Sequence, residues 1–296
     1  MKYLAKTFVS ALAFVSVMSM TMVQASAQDL GFNIPDKETV EAQKKARDNK
    51  AASQSIGRAI MDAFELYEEE QIKEAIAVLE EQEPDPGYDS AYLGRFLGNL
   101  YAADERMADA LRVLKSSVDQ DVLGWSDQAA AMKLVGQISL QEEKYDQSIE
   151  YLRKWVQFTG EKDPKVFLYM ANAYYQKKEF AQIIPFAEAA LEYGEPDKNV
   201  YTLMMASYYE RKMYSDAIGV LEEGLNKLPE VTQWWPQLAQ FYMLEENLAK
   251  ALQTIEVAYL AGYLDKESQF KMLVQLYDNE GIPYKAATTM EKHVEA

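Results

Sequence analysis

Small and large apolar residues along the chain recur with a period far longer than that of a single helix or strand. A small residue in a helical context stands at Ala63, Gly98, Gly136, Ala171 and Ala239, with Met205 and Val274 holding the place in two units. The gaps between successive positions are 35, 38, 35, 34, 34 and 35. Twelve residues after each comes a second position: Ala75, Ala110, Ser148, Ile183, Ala217, Ala251 and Ala286. Three residues after each first position stands Leu66, Tyr101, Ser139, Tyr174, Tyr208, Tyr242 or Tyr277. Sixteen after it comes Leu79, Leu114, Leu152, Ala187, Leu221, Ile255 or Met290. Large residues four before, one before and three after the small one share one stripe of a helix. The two small positions let that helix and the next approach closely. Each unit therefore predicts a helix pair, about 14 residues and roughly 20 Å per helix. One unit cannot bury its own apolar faces, so neighbours must stack.

The segments LGNLYAADERMADALRVL, MANAYYQKKEFAQIIPFAEAA, YTLMMASYYERKMYSDAIGVLEEGLNKLP and WPQLAQFYMLEENLAKALQTIEVA resemble tetratricopeptide repeats (TPR). Leu97, Gly98 and Tyr101 with Ala110, and Tyr214 with Ala217 and Pro229, are close matches to the family pattern. The resemblance covers Ile56 to Ala296, 241 of 296 residues, with units starting near 56, 91, 129, 164, 198, 232 and 267. It implies an all-α, right-handed superhelical solenoid of about seven helix pairs. The second unit is four residues longer than the family norm of 34, and the excess is expected in the loop around Val122 to Trp125. Pro185 falls inside a predicted second helix, where proline kinks. Pro283 stands at a helix entry, where it is tolerated. Residues 28–55 read as a polar leader with a helix that caps the array or sways free. The chain stops at Ala296 inside the last predicted helix. Repeat arrays usually carry a polar cap, so the array is expected to be cut short there or to bury that end against a partner.

The first 27 residues change the picture of where such a solenoid works. Lys2 and Lys6 precede an apolar stretch from Phe8 to Val23, which ends in Ala25-Ser26-Ala27, a small-x-small site. A signal peptide over 1–27, cleaved after Ala27, and a periplasmic location are expected. No later run is as long and apolar, so no integral membrane segment is expected after cleavage. There is no cysteine, hence no disulfide and no lipid-anchoring thiol. A formal net charge of −17 repels nucleic acid and favours cationic partners.

Candidate chemistry is sparse. With no cysteine and His293 as the one histidine, zinc, iron and thiol sites are unavailable and a Ser-His-Asp triad has a single possible base. His293 falls on the last second helix, where packing accounts for it. No HExxH, CxxC or glycine-rich phosphate loop occurs. The acidic clusters Glu68-Glu69-Glu70 and Glu80-Glu81 with Glu83 lie at helix ends and read as solvated surface. No cofactor, metal or catalysis is expected.

The remaining candidate is the groove. The stripe three before, one after and four after each small residue lies next to the core stripe on the first helix, and in TPR proteins it looks into the concave face. At the middle of that stripe stand Phe64, Asn99, Gln137, Asn172, Ala206, Gln240 and Gln275, five amides among seven. An amide donates and accepts at once, which suits the backbone of an extended peptide. Arg95 and Lys133 flank Asn99 and Gln137, and Tyr175 and Tyr209 flank the later amides. The candidate peptide-binding groove is thus Arg95, Asn99, Lys133, Gln137, Asn172, Tyr175, Tyr209 and Gln240. Arg95 and Asn99 with Lys133 and Gln137 resemble part of a carboxylate clamp, although Leu168 stands where that clamp has its next basic residue. The expected function is a non-catalytic scaffold that binds a protein or peptide. In overall look the chain is similar to the periplasmic repeat proteins that accompany TonB-ExbB-ExbD energy-transduction systems, which implies such a component as partner in TonB-dependent transport. The alternative is an assembly factor for outer-membrane proteins or pili.

Overall fold

The computed structural model describes residues 30–47 and 50–293. The predicted signal segment lies outside them. A short helix, α1 (Lys37–Ala46), precedes seven helix pairs among the described residues. The pairs are α2 (Gln54–Glu68) with α3 (Ile72–Glu80), α4 (Tyr88–Ala103) with α5 (Met107–Asp119), α6 (Trp125–Gln141) with α7 (Tyr145–Thr159), and α8 (Pro164–Gln176) with α9 (Phe180–Tyr193). They continue as α10 (Lys198–Glu210) with α11 (Tyr214–Lys227), α12 (Trp234–Leu244) with α13 (Leu248–Leu260), and α14 (Glu267–Asn279) with α15 (Pro283–His293). No described helix is long and apolar enough to cross a membrane.

The turn inside every pair is built the same way. Seven residues after the small position stand Glu70, Glu105, Glu143, Lys178, Lys212, Glu246 and Gly281, all left-handed with φ between 57° and 70°. The next amide then reaches back five residues to a carbonyl, as in Arg106 N to Tyr101 O and Met213 N to Tyr208 O, both 2.8 Å. This is the Schellman closure of a helix end, and six of its seven left-handed positions do without glycine. The first helix of each pair thereby stops at a fixed register and the second starts two residues on.

Within a pair the small residue sets the spacing. A Cβ placed on Gly136 would sit 2.6 Å from both Cγ and Cδ2 of Leu152, and one on Gly98 would sit 2.3 Å from Leu114 Cγ. Ser148, the small residue of the facing helix, donates its hydroxyl to Gly136 O at 2.8 Å. The core is continuous through the stack, with Leu79, Leu114, Leu152, Leu221 and Ile255 fully buried. Beyond pairing with its own partner, α2 reaches α4, α6 reaches α8, and α8 reaches α10. First helices therefore line an inner layer, and the second helices form the outer one.

Two expectations are corrected. The four extra residues of the second unit do not lengthen a loop: residues 120–124 are a short connection, and the excess forms an added turn at the start of α6. Trp125 opens that turn and stacks on Phe158 at 4.1 Å, while Leu123 just before it is fully buried. The leader, expected to cap the array or sway free, does neither. Phe32 stacks on Phe186 of α9 with ring centroids 6.4 Å apart, under the guanidinium of Arg153 from α7. Pro35 and Val40 press on Gly160 at the end of α7. Arg47 donates to Leu123 O at 2.6 Å and pairs with Asp121 at 2.8 Å. The leader thus runs backward as a strap over three units. Its cause is the alternation Leu30, Phe32, Ile34, a short apolar pattern within a polar stretch, with Leu30 buried and the other two packed on the core. Helix α9 runs through Pro185 without interruption.

Candidate functional site

The predicted groove residues all project from the inner layer, on α4, α6, α8, α10 and α12. Asn99, Tyr175, Tyr209 and Gln240 are exposed, and Arg95, Lys133, Gln137 and Asn172 are half-buried. Among the described residues the side-chain amides of Asn99, Gln137 and Gln240 make no hydrogen bond. Asn172 has only a 3.5 Å contact from Gln176 one turn on. Their donors and acceptors are free for a ligand. Tyr175 leans on Phe180 at 6.1 Å, and Tyr209 on Phe241 at 5.9 Å. Tyr209 also meets Tyr214 at 6.3 Å, and both tyrosines remain exposed.

The two cations of the candidate clamp are already engaged. Arg95 meets Asp127 at 3.0 Å and lies against Phe96. Lys133 meets Asp163 at 2.5 Å, over the ring of Trp155. Both aspartates come from the start of the next unit's first helix, so these pairs run along the inner layer from unit to unit. Burial pushes the Asp163 carboxyl upward, but hydrogen bonds from Lys133 and from the Lys165 amide outweigh it and hold the group below the usual carboxylate range. A clamp for a free peptide carboxylate needs unpaired cations, and here each has an internal counter-charge. The pairing partners lie 32 and 30 residues down the chain, which is one unit away and outside any motif window.

At the first unit the groove has a different chemistry. Ile60, Phe64 and Tyr67 of α2 with Phe96, Asn99 and Leu100 of α4 line an apolar cavity of about 230 Å³. Sequence reasoning left this cavity out. Its signal was Phe64, the one aromatic residue at a position that mostly carries amides.

The chain's one histidine is engaged in packing. His293 stacks on Phe270 at 4.3 Å and its Nε2 lies 3.1 Å from the Tyr259 hydroxyl. Among the described residues no cluster of His, Asp or Glu is placed to hold a metal ion.

No protein-family model and no curated protein matches the sequence. Solved structures do. The C-terminal part of a TPR repeat-containing protein from Cytophaga hutchinsonii superposes with a TM-score of 0.60 at 17% identity, over 79% of this chain and 93% of its own. The fold is a TPR solenoid. A tetratricopeptide repeat protein from Parabacteroides merdae aligns over 81% of this chain and 93% of its own, at 12% identity and a TM-score of 0.50. A structure of MamA from AMB-1 covers 60% of this chain and 92% of its own, at 18% identity and a TM-score of 0.50. At such identities the likeness speaks for the TPR architecture and for the concave and convex faces that go with it.

Proposed function

We propose that this protein is a non-catalytic interaction scaffold that holds an extended peptide or a partner's helix in its concave face. One observation carries the reading: the inner layer presents unspent amides and exposed tyrosines along consecutive units, while the strap lies on the second helices and leaves that face open. Amides at Asn99, Gln137, Asn172 and Gln240 can serve the alternating N–H and C=O groups of a peptide backbone, and Tyr175 and Tyr209 offer flat apolar area at low entropy cost. The signal-like segment at residues 1–27 supports a periplasmic setting. The acidic balance of 47 Asp and Glu against 30 Lys and Arg supports a cationic partner, such as the periplasmic part of a TonB-type energy transducer.

Photo-crosslinking tests this. A benzophenone amino acid placed at Asn172 or Gln240 is expected to capture a periplasmic partner, whereas the same probe at Glu150 on α7 is not. Recovery of a TonB-ExbB-ExbD component fits the adaptor role. Recovery of outer-membrane or pilus assembly components moves the protein to the assembly-factor alternative. Crosslinks at Glu150 alone exclude the concave face. Replacing Asn99, Asn172 and Gln240 by Ala is expected to weaken capture without loss of helicity.

A further inference from the structure

The concave face is not uniform along its length, and its first unit departs from the rest in two ways at once. Phe64 and Tyr67 are 54% and 43% exposed, and Met61 beside them is 65% exposed. With Phe96 and Leu100 they frame the cavity between α2 and α4, which is open to solvent and wide enough for a large apolar side chain. An apolar patch with a polar rim on an otherwise well-packed surface marks a place of contact.

The end of α2 and the turn after it are acidic, and Arg58 is the one cation on that helix. Glu68 lies four residues past Phe64, one turn on along the same helix face, and Glu65 stands one turn past Met61. Glu69 and Glu70 follow in the turn next to Tyr67. All four carboxylates are exposed, and none has an ion-pair partner among the described residues. Glu69 accepts a hydrogen bond from Gln71 and nothing more. Four like charges within six residues raise a local negative potential that the fold leaves uncompensated, in contrast to the aspartates facing Arg95 and Lys133. Such a rim repels a free carboxylate and attracts ammonium and guanidinium groups.

We propose that this end of the groove is an anchor site for a cationic segment of a partner protein. One large apolar side chain of the segment enters between α2 and α4 against Phe64 and Tyr67. Its flanking lysines or arginines meet Glu65, Glu68, Glu69 and Glu70. The proposal rests on the concave face being the binding face, and adds to it the site and the chemistry of the occupant.

The full chain is titrated into fluorescein-labelled peptides and followed by anisotropy. The first peptide carries a central phenylalanine between pairs of lysines, the second has alanine at the centre, and the third has glutamates as flanks. The first is expected to bind at least tenfold more tightly than either of the others, and to weaken steadily as salt rises. Phe64→Ala, and separately the pair Glu65→Lys with Glu68→Lys, are expected to cost tenfold or more. These side chains are exposed, so helicity and melting should stay as in the parent chain. No binding of the first peptide, or binding that both variants leave unchanged, overturns the proposal. So does a self-associated chain that Phe64→Ala renders monomeric, which would assign the patch to a second copy. Loss of peptide binding in an Asn172→Ala, Gln240→Ala variant but not in Phe64→Ala would keep the groove and remove the anchor. Loss in Phe64→Ala, with no partner crosslinked at Asn172 or Gln240, would keep the anchor and remove the groove.

Discussion

A tyrosine hydroxyl needs a partner when its ring is buried, and for three of the tyrosines three residues past the small position the partner comes from the unit before. Tyr101 donates to Glu80 at 2.5 Å, Tyr277 to Glu256 at 2.9 Å, and Tyr242 to Glu222. Each glutamate stands seventeen residues after the small position of the preceding unit. The tyrosine is visible in one repeat and its acceptor in another, so the pairing escapes any search confined to a single unit. Where Ser139 replaces the tyrosine the preceding unit has Lys115 instead, and the Ser139 hydroxyl is left buried without a partner. Burial first and Glu222 second push Tyr242 up to about 12 from a usual value near 10. A raised native value means stability that is full below pH 10 and lost as pH climbs towards 12. Tyr242→Phe is therefore expected to cost about 1 kcal/mol at pH 7. It should also flatten the decline in the urea midpoint between pH 10 and 12. Glu188 occupies the same register next to Tyr208 but has no hydrogen bond among the described residues. Burial raises its carboxyl above the ordinary 4.5, so at neutral pH the native state carries an unfavourable charge. Glu188→Gln should raise the melting temperature at pH 7. The gain should vanish once pH falls below about 4.5, where the native and unfolded forms of the parent are both protonated.

At the level of helix pairs, the small positions were readable because their constraint is local and repeats. Gly98 with Leu114, and Gly136 with Leu152, are separated by sixteen residues in every unit, and the distances a Cβ would make there explain why nothing larger fits. Gly136→Ala sets two effects against each other. Alanine favours the helix by about 1 kcal/mol, but overpacking costs about 1–3 kcal/mol, and the neighbour includes the Leu152 backbone nitrogen at 3.3 Å, which cannot rotate away. A net destabilisation of about 1 kcal/mol is expected in chemical unfolding. The candidate groove was readable to the same extent and no further. Asn99, Gln137, Asn172 and Gln240 fall on one stripe by spacing alone, whereas the neutralisation of Arg95 and Lys133 depends on aspartates supplied by the next helix.

For the whole molecule, the repeat period announced the solenoid, and the strap was the part it could not announce. Leu30, Phe32 and Ile34 are three apolar residues in an extended stretch, too few to register beside seven helix pairs. Their target, the surface near Phe186 and Gly160, exists only after α7 and α9 have packed. Phe32→Ala removes the ring that meets Phe186 and Arg153. A loss of about 1–2 kcal/mol is expected. Hydrogen exchange should quicken over α7 and α9 while α13 and α14, which the strap does not touch, stay as they were.

The strap also changes the order in which the chain can fold. Stacked repeats meet only their neighbours, so their contacts are short-range and folding can begin at any unit and spread. The contact from Arg47 to Leu123 spans 76 residues, and the one from Phe32 to Phe186 spans more. Neither can form until the units between have closed a loop whose entropy must already have been offset. Of the described residues, those synthesised first settle last, and until they do, an apolar seam beside Phe186 stays open on the outer layer of an otherwise finished array.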